Sequence, residues 1–472
     1  MPTYASPGVY VEEVPSVDKP IAGVGTSTAG FIGIVSDGPF DQPLGRVKDK
    51  RIGVGDGSIT VFDLGPNTYP VKETAGSYEV RVDGVVTTGA TLDNNDSERT
   101  SAVTFTTAPA ADKAITVDYV PAFSPVAAGE PQLCVNFTDF KRSFGDFWGD
   151  TNHNNLAHAV YGFFNNGGSR CFVMRVAAAA DIPDALVKFE AEDEIALVAA
   201  PGIVDKATRD AIDTHCRVLT QDRFAIFDSD EAVEKADGTV DTTLLAKGGT
   251  KMPPNSDYAA FYFPWIQVFD AVKKKITDTD SDGMIFVPPS GHVAGVYARV
   301  DTQRGVHKAP GNEALLGALG LKYKISKALQ DGLNLHGVNV IRNVNGNIRL
   351  WGARTIGGDD NADLKYINVR RTLLFLRESI DEGTQWVVFE PNTAALWQKI
   401  TRNVSAFLTN VWRSGALFGT TPAEAFYVKC DAELNPASVR DLGQVVTEVG
   451  VAIVRPAEFV IFRISQWTAP GK

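Results

Sequence analysis

The segment Cys171-Phe172-Val173-Met174-Arg175-Val176 is an apolar run of strand length that follows a break at Asn166-Gly167-Gly168. Two similar runs, Glu194–Val198 and Arg223–Asp228, come next along the chain, and a helix is predicted between them over residues 206–219. Short apolar strands that alternate with helices are typical of parallel sheets covered on both faces. The sequence therefore predicts a largely parallel α/β sheet.

The same rhythm extends towards the N-terminus. Gly30–Val35 predicts another buried strand, and Leu156–Phe164 has apolar residues at helical spacing. A further helix is predicted over Phe137–Phe147, with Thr138 as its N-cap.

A different pattern occupies residues 48–121, where short alternating runs are separated by turn residues and no helical period is present. The predicted strands are Ser58–Phe62, Tyr78–Val82, Val85–Val86, Val103–Phe105 and Ala114–Val120. Asp83-Gly84 between two such runs is a hairpin signal. This window predicts a small β-sandwich inserted into the α/β domain.

A long amphipathic helix is predicted over Thr393–Arg413, ending at Gly415. Its apolar stripe consists of Leu396, Ile400, Val404, Phe407 and Val411, widened by Trp397, Leu408 and Trp412. One polar face carries Lys399, Arg402, Thr409 and Arg413, and the helix contains no acidic residue. In a chain of net charge −12, this face is either ordinary solvated surface or a docking face for an acidic partner.

Both ends of the chain carry a strand-like segment, Gly8–Val14 after a Ser6-Pro7-Gly8 turn and Glu458–Ile464 near the C-terminus. Exposed apolar edge strands promote aggregation, and terminal residues fray unless something pairs with them. Two interpretations follow: both segments join the chain's own sheet, or neighbouring copies complete a sheet by strand addition.

Composition limits the classes of function. A chain of 472 residues is expected to contain about three domains, and its 44% hydrophobic content suits globular cores. The net charge of −12 argues against nucleic acid or an anionic membrane as the main partner. The four cysteines form no CxxC pair, and no secretory signal or bilayer-length apolar run is visible. We therefore expect a protein made in the cytoplasm, without membrane contact.

Catalytic and metal-binding patterns are weak. The six histidines do not converge, and no HExxH, Walker A, GxGxxG or GxSxG motif is present. Ser290 lies two residues before His292, which is not by itself a catalytic geometry. Asp278–Gly283 matches the first half of an EF-hand loop, but Pro289 occupies the position of the bidentate Glu. The sequence predicts no catalytic residue, no cofactor and no metal site.

A series of short motifs resembles the sheath proteins of contractile phage tails and of related phage-derived injection systems, including R-type bacteriocins. Each motif alone is weak, but their number, order and spacing carry the resemblance over nearly the whole chain outside the inserted strands. The motifs are Pro7–Glu13, Asp139–Gly145, Phe163–Gly168, Tyr262–Trp265, Val287–Gly295, Arg304–Pro310, Trp351–Thr355, Val369–Arg371, Val388–Asn392, Gly415–Leu417 and Pro456–Phe459.

The resemblance implies a fold and an assembly. It implies a central α/β domain of the kind called subtilisin-like, which describes a fold and no protease, and a C-terminal α+β domain completed by the N-terminal segment and neighbours' strands. Copies would stack as hexameric rings around an inner tail tube protein, with baseplate and tail terminator proteins as further partners. Neither nucleic acid nor a cofactor is implied.

The resemblance also assigns residues to roles. The linking arms would be formed by Val9, Tyr10, Val11, Val14, Phe459, Val460, Ile461, Phe462 and Ile464. The helix over 393–413 would face the tube, and our helical interpretation adds Lys399, Arg402 and Arg413 as contacts. Gly23 and Gly25, after Pro20, are hinge candidates, the alternative being an ordinary loop.

The expected domains are a linking arm over 1–20, a central α/β domain over 21–47 and 127–355, the inserted β-sandwich over 48–126, a tube-facing domain over 356–457 and a second arm over 458–472. The expected function is a contractile sheath subunit without enzymatic activity, assembled in the cytoplasm and later part of a virion tail or released particle. The rival from another class is an α/β hydrolase using Ser290, and a third interpretation is a surface-layer protein or adhesin, for which no export signal is visible.

Overall fold

A computed structural model of the chain describes residues 20–35, 47–65, 71–95, 100–120, 126–145, 147, 151–270 and 282–463. The chain divides into two compact units. The larger unit is Gly25–Arg371, and the smaller unit combines Met1–Val24 with Thr372–Lys472. Of the sequence predictions, the arm residues Val9, Tyr10, Val11, Val14 and Ile464 and part of the Asp278–Gly283 loop lie outside the described residues.

The elements up to Asp228 alternate between strands and helices after an initial all-β stretch. The strands are β1 (Ala29–Ile34), β2 (Val47–Val54), β3 (Val61–Asp63), β4 (Tyr78–Val82), β5 (Val85–Thr87), β6 (Ala90–Asn95), β7 (Thr100–Phe105), β8 (Ala114–Tyr119), β9 (Gln132–Cys134), β10 (Cys171–Val176), β11 (Leu197–Ala199) and β12 (Phe224–Asp228). The helices are α1 (Phe137–Phe144), α2 (Thr151–Asn165), α3 (Ile182–Glu190) and α4 (Lys206–Thr214), with a 3-10 turn at Ala179–Asp181 and a π-helical turn at His215–Thr220.

The remaining elements complete both units. The strands are β13 (Ala259–Phe263), β14 (Ile266–Phe269), β15 (Met284–Val287), β16 (Glu313–Ala314), β17 (Gly320–Leu321), β18 (Val338–Val344), β19 (Asn347–Leu350), β20 (Phe426–Lys429) and β21 (Glu448–Val451). The helices are α5 (Ser290–Arg304), α6 (Lys327–Asn334), α7 (Ile367–Thr384), α8 (Ala394–Arg413), α9 (Pro422–Ala425) and α10 (Ala437–Arg440), with 3-10 turns at Thr242–Leu245, Gly358–Leu364 and Gln385–Val387.

A nine-stranded sheet forms the framework of the larger unit, in the order β16-β19-β18-β13-β12-β11-β1-β10-β9. The strands from β10 to β18 in this order pair in parallel, and antiparallel strands close both edges. Every residue of β10, β12 and β13 is buried, as expected for a parallel sheet covered on both faces. The predicted α/β arrangement of this region is confirmed at the level of the sheet, and the molecule as a whole is a mixed α/β protein with several sheets.

Helices α2 and α5 approach each other closely in the larger unit. A Cβ atom on Gly291 would lie 2.3 Å from the Cα of Ala159, and one on Gly295 would lie 2.4 Å from the carbonyl oxygen of Phe163. The missing side chains therefore allow backbone contact between the two helices. Phe163 in turn packs edge-on against Phe31 of β1, with ring centroids 5.5 Å apart.

Two antiparallel sheets occupy residues 47–120. One has the order β2-β8-β4-β5 and the other β3-β7-β6. Side chains of both sheets share one hydrophobic cluster that includes Phe62, Val80, Val103 and Ile115. The Asp83-Gly84 hairpin lies between β4 and β5 as predicted, and both of its residues have positive φ.

Some predicted boundaries were wrong. The N-cap of α1 is Asn136 rather than Thr138, because the Asn136 side chain accepts a hydrogen bond from the Asp139 N–H at 2.9 Å. The helix predicted over 206–219 ends as an α-helix at Thr214 and continues as the π-helical turn. Strands β2 and β6 were not predicted.

A buried ion pair fixes both ends of the larger unit to α5. The Asp301 carboxylate accepts hydrogen bonds from Arg371 at 2.6 and 3.0 Å and from the Thr26 hydroxyl at 2.6 Å. Arg371 also donates to the Thr26 carbonyl at 2.8 Å. Because Thr26 is the second residue of this unit and Arg371 is its last, one carboxylate organises both points where the chain leaves it.

No helix in the described part of the chain combines the length and the apolar character needed to cross a membrane.

Candidate assembly surfaces

Helix α8 begins and ends where the sequence predicts. Its N-cap is Thr393, whose hydroxyl accepts from the Leu396 N–H at 3.5 Å. At the other end Gly415 adopts a φ of +84°, and the Ala416 N–H donates to the carbonyl of Val411 at 3.3 Å. This left-handed residue satisfies a terminal carbonyl and stops the helix.

The apolar stripe of α8 forms the core of the smaller unit. All five predicted stripe positions are buried, together with Trp397 and Leu408. They pack with residues of α7 and of the strands that follow α8, including Leu376, Leu417 and Phe426. The stripe therefore fixes which side of α8 points outward.

The outward side of α8 is basic. Lys399, Arg402 and Arg413 are all exposed and lie on the face opposite the stripe, as predicted. With 1.5 Å of rise per residue, these cations extend over about 21 Å of helix. Ala395 and Ala406 lie on the same face, and Ala406 lies between Arg402 and Arg413. The outward face of α8 therefore presents positive charge among small side chains.

A two-stranded antiparallel sheet packs on α8 in the smaller unit. Strand β20 pairs with β21, in a register that puts Phe426 opposite Val451 and Tyr427 opposite Gly450. An isolated bridge between Leu417 and Ile453 extends the pairing. In the described part of the chain no third strand joins this sheet. A lone hairpin is marginally stable in water, and a sheet of two strands leaves an unpaired edge on each of them.

The C-terminal tail of the described chain is apolar and exposed. Phe459, Val460, Ile461 and Phe462 expose 70%, 68%, 78% and 85% of their surfaces. The strand predicted over 458–464 is not formed in the described residues 458–463, since a strand needs a hydrogen-bonded partner. Four consecutive exposed apolar residues form a contiguous patch of the kind that marks an interaction site.

The two hinge candidates differ in their surroundings. Gly23 lies against helix α7, where an added Cβ would come within 2.9 Å of the Phe375 ring, and the neighbouring Val24 N–H donates to Ser379 Oγ at 3.1 Å. Gly25 has no atom within 4 Å of its Cβ position and is the first residue of the larger unit.

Two exposed aromatic residues were not singled out from the sequence. Phe389 is fully exposed with a φ of +68°, and Phe418 is 73% exposed. Left-handed φ values are uncommon for bulky residues and cluster at functional sites. Phe389 lies within Val388–Asn392, and Phe418 directly follows Gly415–Leu417. Both segments are motifs that carried the family resemblance, and these motifs were the sequence signal that could have identified the two residues.

Ser290 does not form a catalytic pair with histidine. Its hydroxyl donates to the buried carboxylate of Asp228 at 2.6 Å, and its N–H donates to the same carboxylate at 2.7 Å. Burial raises the pKa of Asp228 to about 6. Ser290 is itself fully buried, and in the described part of the chain no histidine bonds its hydroxyl. The Ser290 hydroxyl acts as a hydrogen-bond donor to the buried carboxylate of Asp228.

A cavity of about 600 Å³ lies beside the N-terminus of α4. Its charged lining is mixed and internally paired: Arg209 lies 3.7 Å from Asp230, and Lys247 lies 2.6 Å from Asp360. Such a lining does not select for one sign of ligand charge. Among the described residues, no group of three or more His, Cys, Asp or Glu side chains is placed to hold a metal ion.

Similar proteins are tail sheath proteins. A model of the phage tail sheath protein central domain matches residues 175–356, and a model of the phage tail sheath C-terminal domain matches residues 359–466. The tail sheath protein of Burkholderia phage BcepMu is 26% identical over 242 residues, which is 48% of this chain and 48% of that protein. The tail sheath protein of Vibrio phage KVP40 is 28% identical over 199 residues, 41% of this chain and 28% of that protein. The chain thus spans about half or less of the length of these relatives.

Solved structures with the same fold come from contractile injection systems. The contracted sheath complex of the extracellular contractile injection system PVC has a TM-score of 0.64 and 23% identity, covering 99% of both chains. The contracted helical sheath of the anti-feeding prophage has a TM-score of 0.62 and 23% identity, covering 98% of this chain and 100% of that one. A chain of the six-fold symmetrised baseplate of the same prophage has a TM-score of 0.58 and 23% identity, covering 99% and 100%. Because the two domain models together match more than half of the 472 residues, the chain belongs to the phage tail sheath protein family.

Proposed function

We propose that this protein is the structural subunit of a contractile sheath, which polymerises as stacked hexameric rings around an inner tube and contracts to drive the tube through a target envelope. The observation that carries the proposal is the exposed apolar tail over 459–462, in a unit whose described residues form a sheet of only two strands. An exposed apolar tail and unpaired strand edges both require cover, and other copies of the chain would supply it. Solved structures of the same fold include two contracted sheaths, which supports this requirement.

The proposed linkage is strand addition between copies. The tail of one copy, and the N-terminal arm carrying Val9, Tyr10, Val11 and Val14, would pair with the open edges of β20 and β21 in its neighbours. Main-chain hydrogen bonds supply the affinity in this mode, and alternate side chains supply the specificity. Since main-chain pairing tolerates changes of angle, the copies remain connected while the sheath changes shape.

The proposed contact with the tube is the basic face of α8. Lys399, Arg402 and Arg413 would meet an acidic surface on the inner tube protein. Charges at a rim contribute orientation and association rate more than affinity, so this contact can hold the extended state and still be released.

The proposed mechanism is the release of stored energy. The extended sheath is metastable, and contraction gains contacts between copies while contacts to the tube are lost. A few kcal/mol per copy biases a two-state element strongly. The Asp301–Arg371–Thr26 ion pair favours this mechanism because it holds both exits of the larger unit rigid, which leaves Gly25 and Gly23 as the nearest positions for a hinge.

The remaining assignments follow from the same model. We propose the domain limits 1–20, 21–47 with 127–355, 48–126, 356–457 and 458–472, a subtilisin-like fold without protease activity for the central domain, and the inserted sheets as an outer decoration. Assembly would take place in the cytoplasm, with baseplate and terminator proteins at the two ends of the sheath, before the particle becomes a virion tail or is released.

The arm assignment is tested by replacing Phe459 and Ile461 with Asp and imaging particles from producing cells by negative-stain electron microscopy. We expect sheaths to be lost while the chain stays folded. The matched control replaces Val85 and Val86, which are 70% and 53% exposed on the inserted sheet, in the same way and leaves sheaths intact. Normal long sheaths in the Phe459/Ile461 variant, or in a variant lacking residues 1–15, would refute strand addition.

The docking assignment is tested by reversing Lys399, Arg402 and Arg413 to Glu. We expect extended sheaths on tubes to be replaced by contracted or tube-free assemblies. The control reverses the exposed cations Arg51, Lys324 and Lys327, which changes the net charge equally outside α8. Unchanged extended assembly in the first variant would refute the tube contact and leave the arms untouched.

A further inference from the structure

Two of the four cysteines lie directly opposite each other on neighbouring strands. In the antiparallel pairing of β9 with β10, Cys134 is the register partner of Cys171. Both thiols are free and buried in this structure. Opposite residues of an antiparallel pair have Cα atoms about 4.5–5.5 Å apart and side chains on the same face. This separation lies within the range of Cα distances that disulfides span, about 4.4–6.8 Å.

The electrostatics of the two thiols agree with this geometry. Burial raises the pKa of the Cys134 thiol to about 12, and burial also raises the pKa of Cys171, with the Cys134 thiol contributing in the same direction. Each sulfur therefore lies within electrostatic range of the other. The same shift makes both thiols slow to form thiolates, so they stay reduced wherever a reductant is present.

The position of Cys134 provides access to an oxidant. It is the last residue of β9, a strand of three residues at the edge of the nine-stranded sheet, and the next residue, Val135, is exposed. A short edge strand opens locally at low free-energy cost. Local opening exposes Cys134 without unfolding the sheet.

We propose that Cys134 and Cys171 are a site of reversible oxidation that forms a cross-strand disulfide once the protein meets an oxidising medium. The oxidant is a low-molecular-weight disulfide such as oxidised glutathione. The Cys134 thiolate, its proton released to solvent, attacks one sulfur and displaces one glutathione thiolate. The Cys171 thiolate then attacks the Cys134 sulfur of the mixed disulfide and displaces the second glutathione, which closes the Cys134–Cys171 bond. Two thiols are oxidised and one glutathione disulfide is reduced to two thiols.

The consequence is a covalent bond between the edge strand and its neighbour. Cross-linking two positions removes conformational freedom from the unfolded chain, so the oxidised protein is expected to melt at a higher temperature. The other two cysteines are internal controls, because Cys216 lies in the π-helical turn and Cys430 lies in the smaller unit. The inference concerns the single chain and does not depend on the proposed sheath function.

The experiment incubates the full-length protein with oxidised glutathione for hours at pH 8.5, unfolds it in the presence of an alkylating agent and maps the peptides by mass spectrometry. We expect two of the four thiols to be lost, one disulfide between the peptides of Cys134 and Cys171, and an increased Tm that dithiothreitol reverses. The double variant Cys216→Ala/Cys430→Ala should behave like the parent, and Cys134→Ala and Cys171→Ala should show no increase. Four remaining thiols, a glutathione adduct that never resolves, or a disulfide to Cys216 or Cys430 would each overturn the proposal.

Discussion

The two units of this protein build their sheets in opposite ways. The main sheet of the larger unit has nine strands, with β10, β12 and β13 buried along their whole length and antiparallel strands at both edges. In the described residues of the smaller unit, a sheet of two strands lies on α8, and the chain that follows exposes four apolar residues in a row. The strands of the larger sheet pair within the chain, and among the described residues no further strand joins the smaller sheet. From this contrast we propose that the larger unit supplies rigidity and the smaller unit supplies the connection between copies.

The largest difference in the free energy of unfolding is expected between alanine variants of two phenylalanines, one from each unit. Phe31→Ala in β1 removes a fully buried ring that packs on Phe163, and such losses cost about 3–5 kcal/mol. Phe462→Ala removes a ring that is 85% exposed, so the free energy of unfolding of the single chain should change by less than about 0.5 kcal/mol. Denaturant unfolding of the unassembled protein measures both changes. A large loss in Phe462→Ala would show that the tail packs on its own chain.

Acid is expected to act on the larger unit first. Burial, with a contribution from His158, lowers the pKa of His292 to about 3, and burial, with a contribution from Arg223, lowers that of His215 to about 4. In the unfolded chain both imidazoles take up a proton near pH 6.5. The stability that comes from keeping these two rings neutral is therefore complete above that pH, and it is lost as the pH falls towards 4 and then 3. The effect is on the order of a few kcal/mol. Asp228 works in the opposite direction, since its pKa is raised to about 6 and its contribution is lost as the pH rises from about 4 to 6.

Hydrogen exchange between pH 7 and pH 4 resolves this difference by region, because residues 372–472 contain no histidine. Protection should fall in the larger unit before it falls in α8. His292→Asn should flatten the pH dependence of unfolding. Equal loss of protection in both units on acidification would contradict the expectation.

A smaller effect is expected for Ser290→Ala. The change removes a 2.6 Å hydrogen bond to a buried carboxylate, and bonds of this kind contribute about 1.5–3 kcal/mol. The control Ser438→Ala, at an exposed serine, should stay within about 0.5 kcal/mol of the parent. Thermal unfolding measures both. A hydrolytic activity present in the parent and lost in Ser290→Ala, without loss of stability, would favour the hydrolase interpretation instead.

The smallest effects compare one helix cap from each unit. Thr393→Ala should cost about 0.5 kcal/mol, at the low end for N-caps, because its hydrogen bond to the Leu396 N–H is 3.5 Å long. Asn136→Ala should cost about 1 kcal/mol, because its bond to the Asp139 N–H is 2.9 Å. Chemical denaturation of the two variants gives the order, and the reverse order would show that bond length does not govern the cost at these caps.

The sequence predicted the elements whose pattern is local. Strand β10 has the predicted limits, Cys171–Val176, because an apolar run interrupted only by Arg175 follows the turn at Asn166-Gly167-Gly168, and the buried sheet is the stable place for such a run. Helix α8 was predicted closely because Thr393, the stripe and Gly415 all specify the same element. The outward position of Lys399, Arg402 and Arg413 followed from helical geometry alone.

The elements that were missed depend on distant partners. Strands β2 and β6 contain Lys, Asp and Asn residues that disfavour strands, and they form because β8 and β7 pair with them. The N-cap of α1 was misplaced by two residues because Asn136 and Thr138 are both capping residues. The bond between Ser290 and Asp228 joins positions 62 residues apart, which no local pattern reveals.

The most direct test of the central claim is a cryo-electron microscopy map of the assembled particle at a resolution that traces the main chain. The account predicts that residues 459–463 form a strand hydrogen-bonded to β20 or β21 of another copy. A tail that pairs with the β20–β21 sheet of its own chain, or that remains unpaired in the assembled particle, would contradict it.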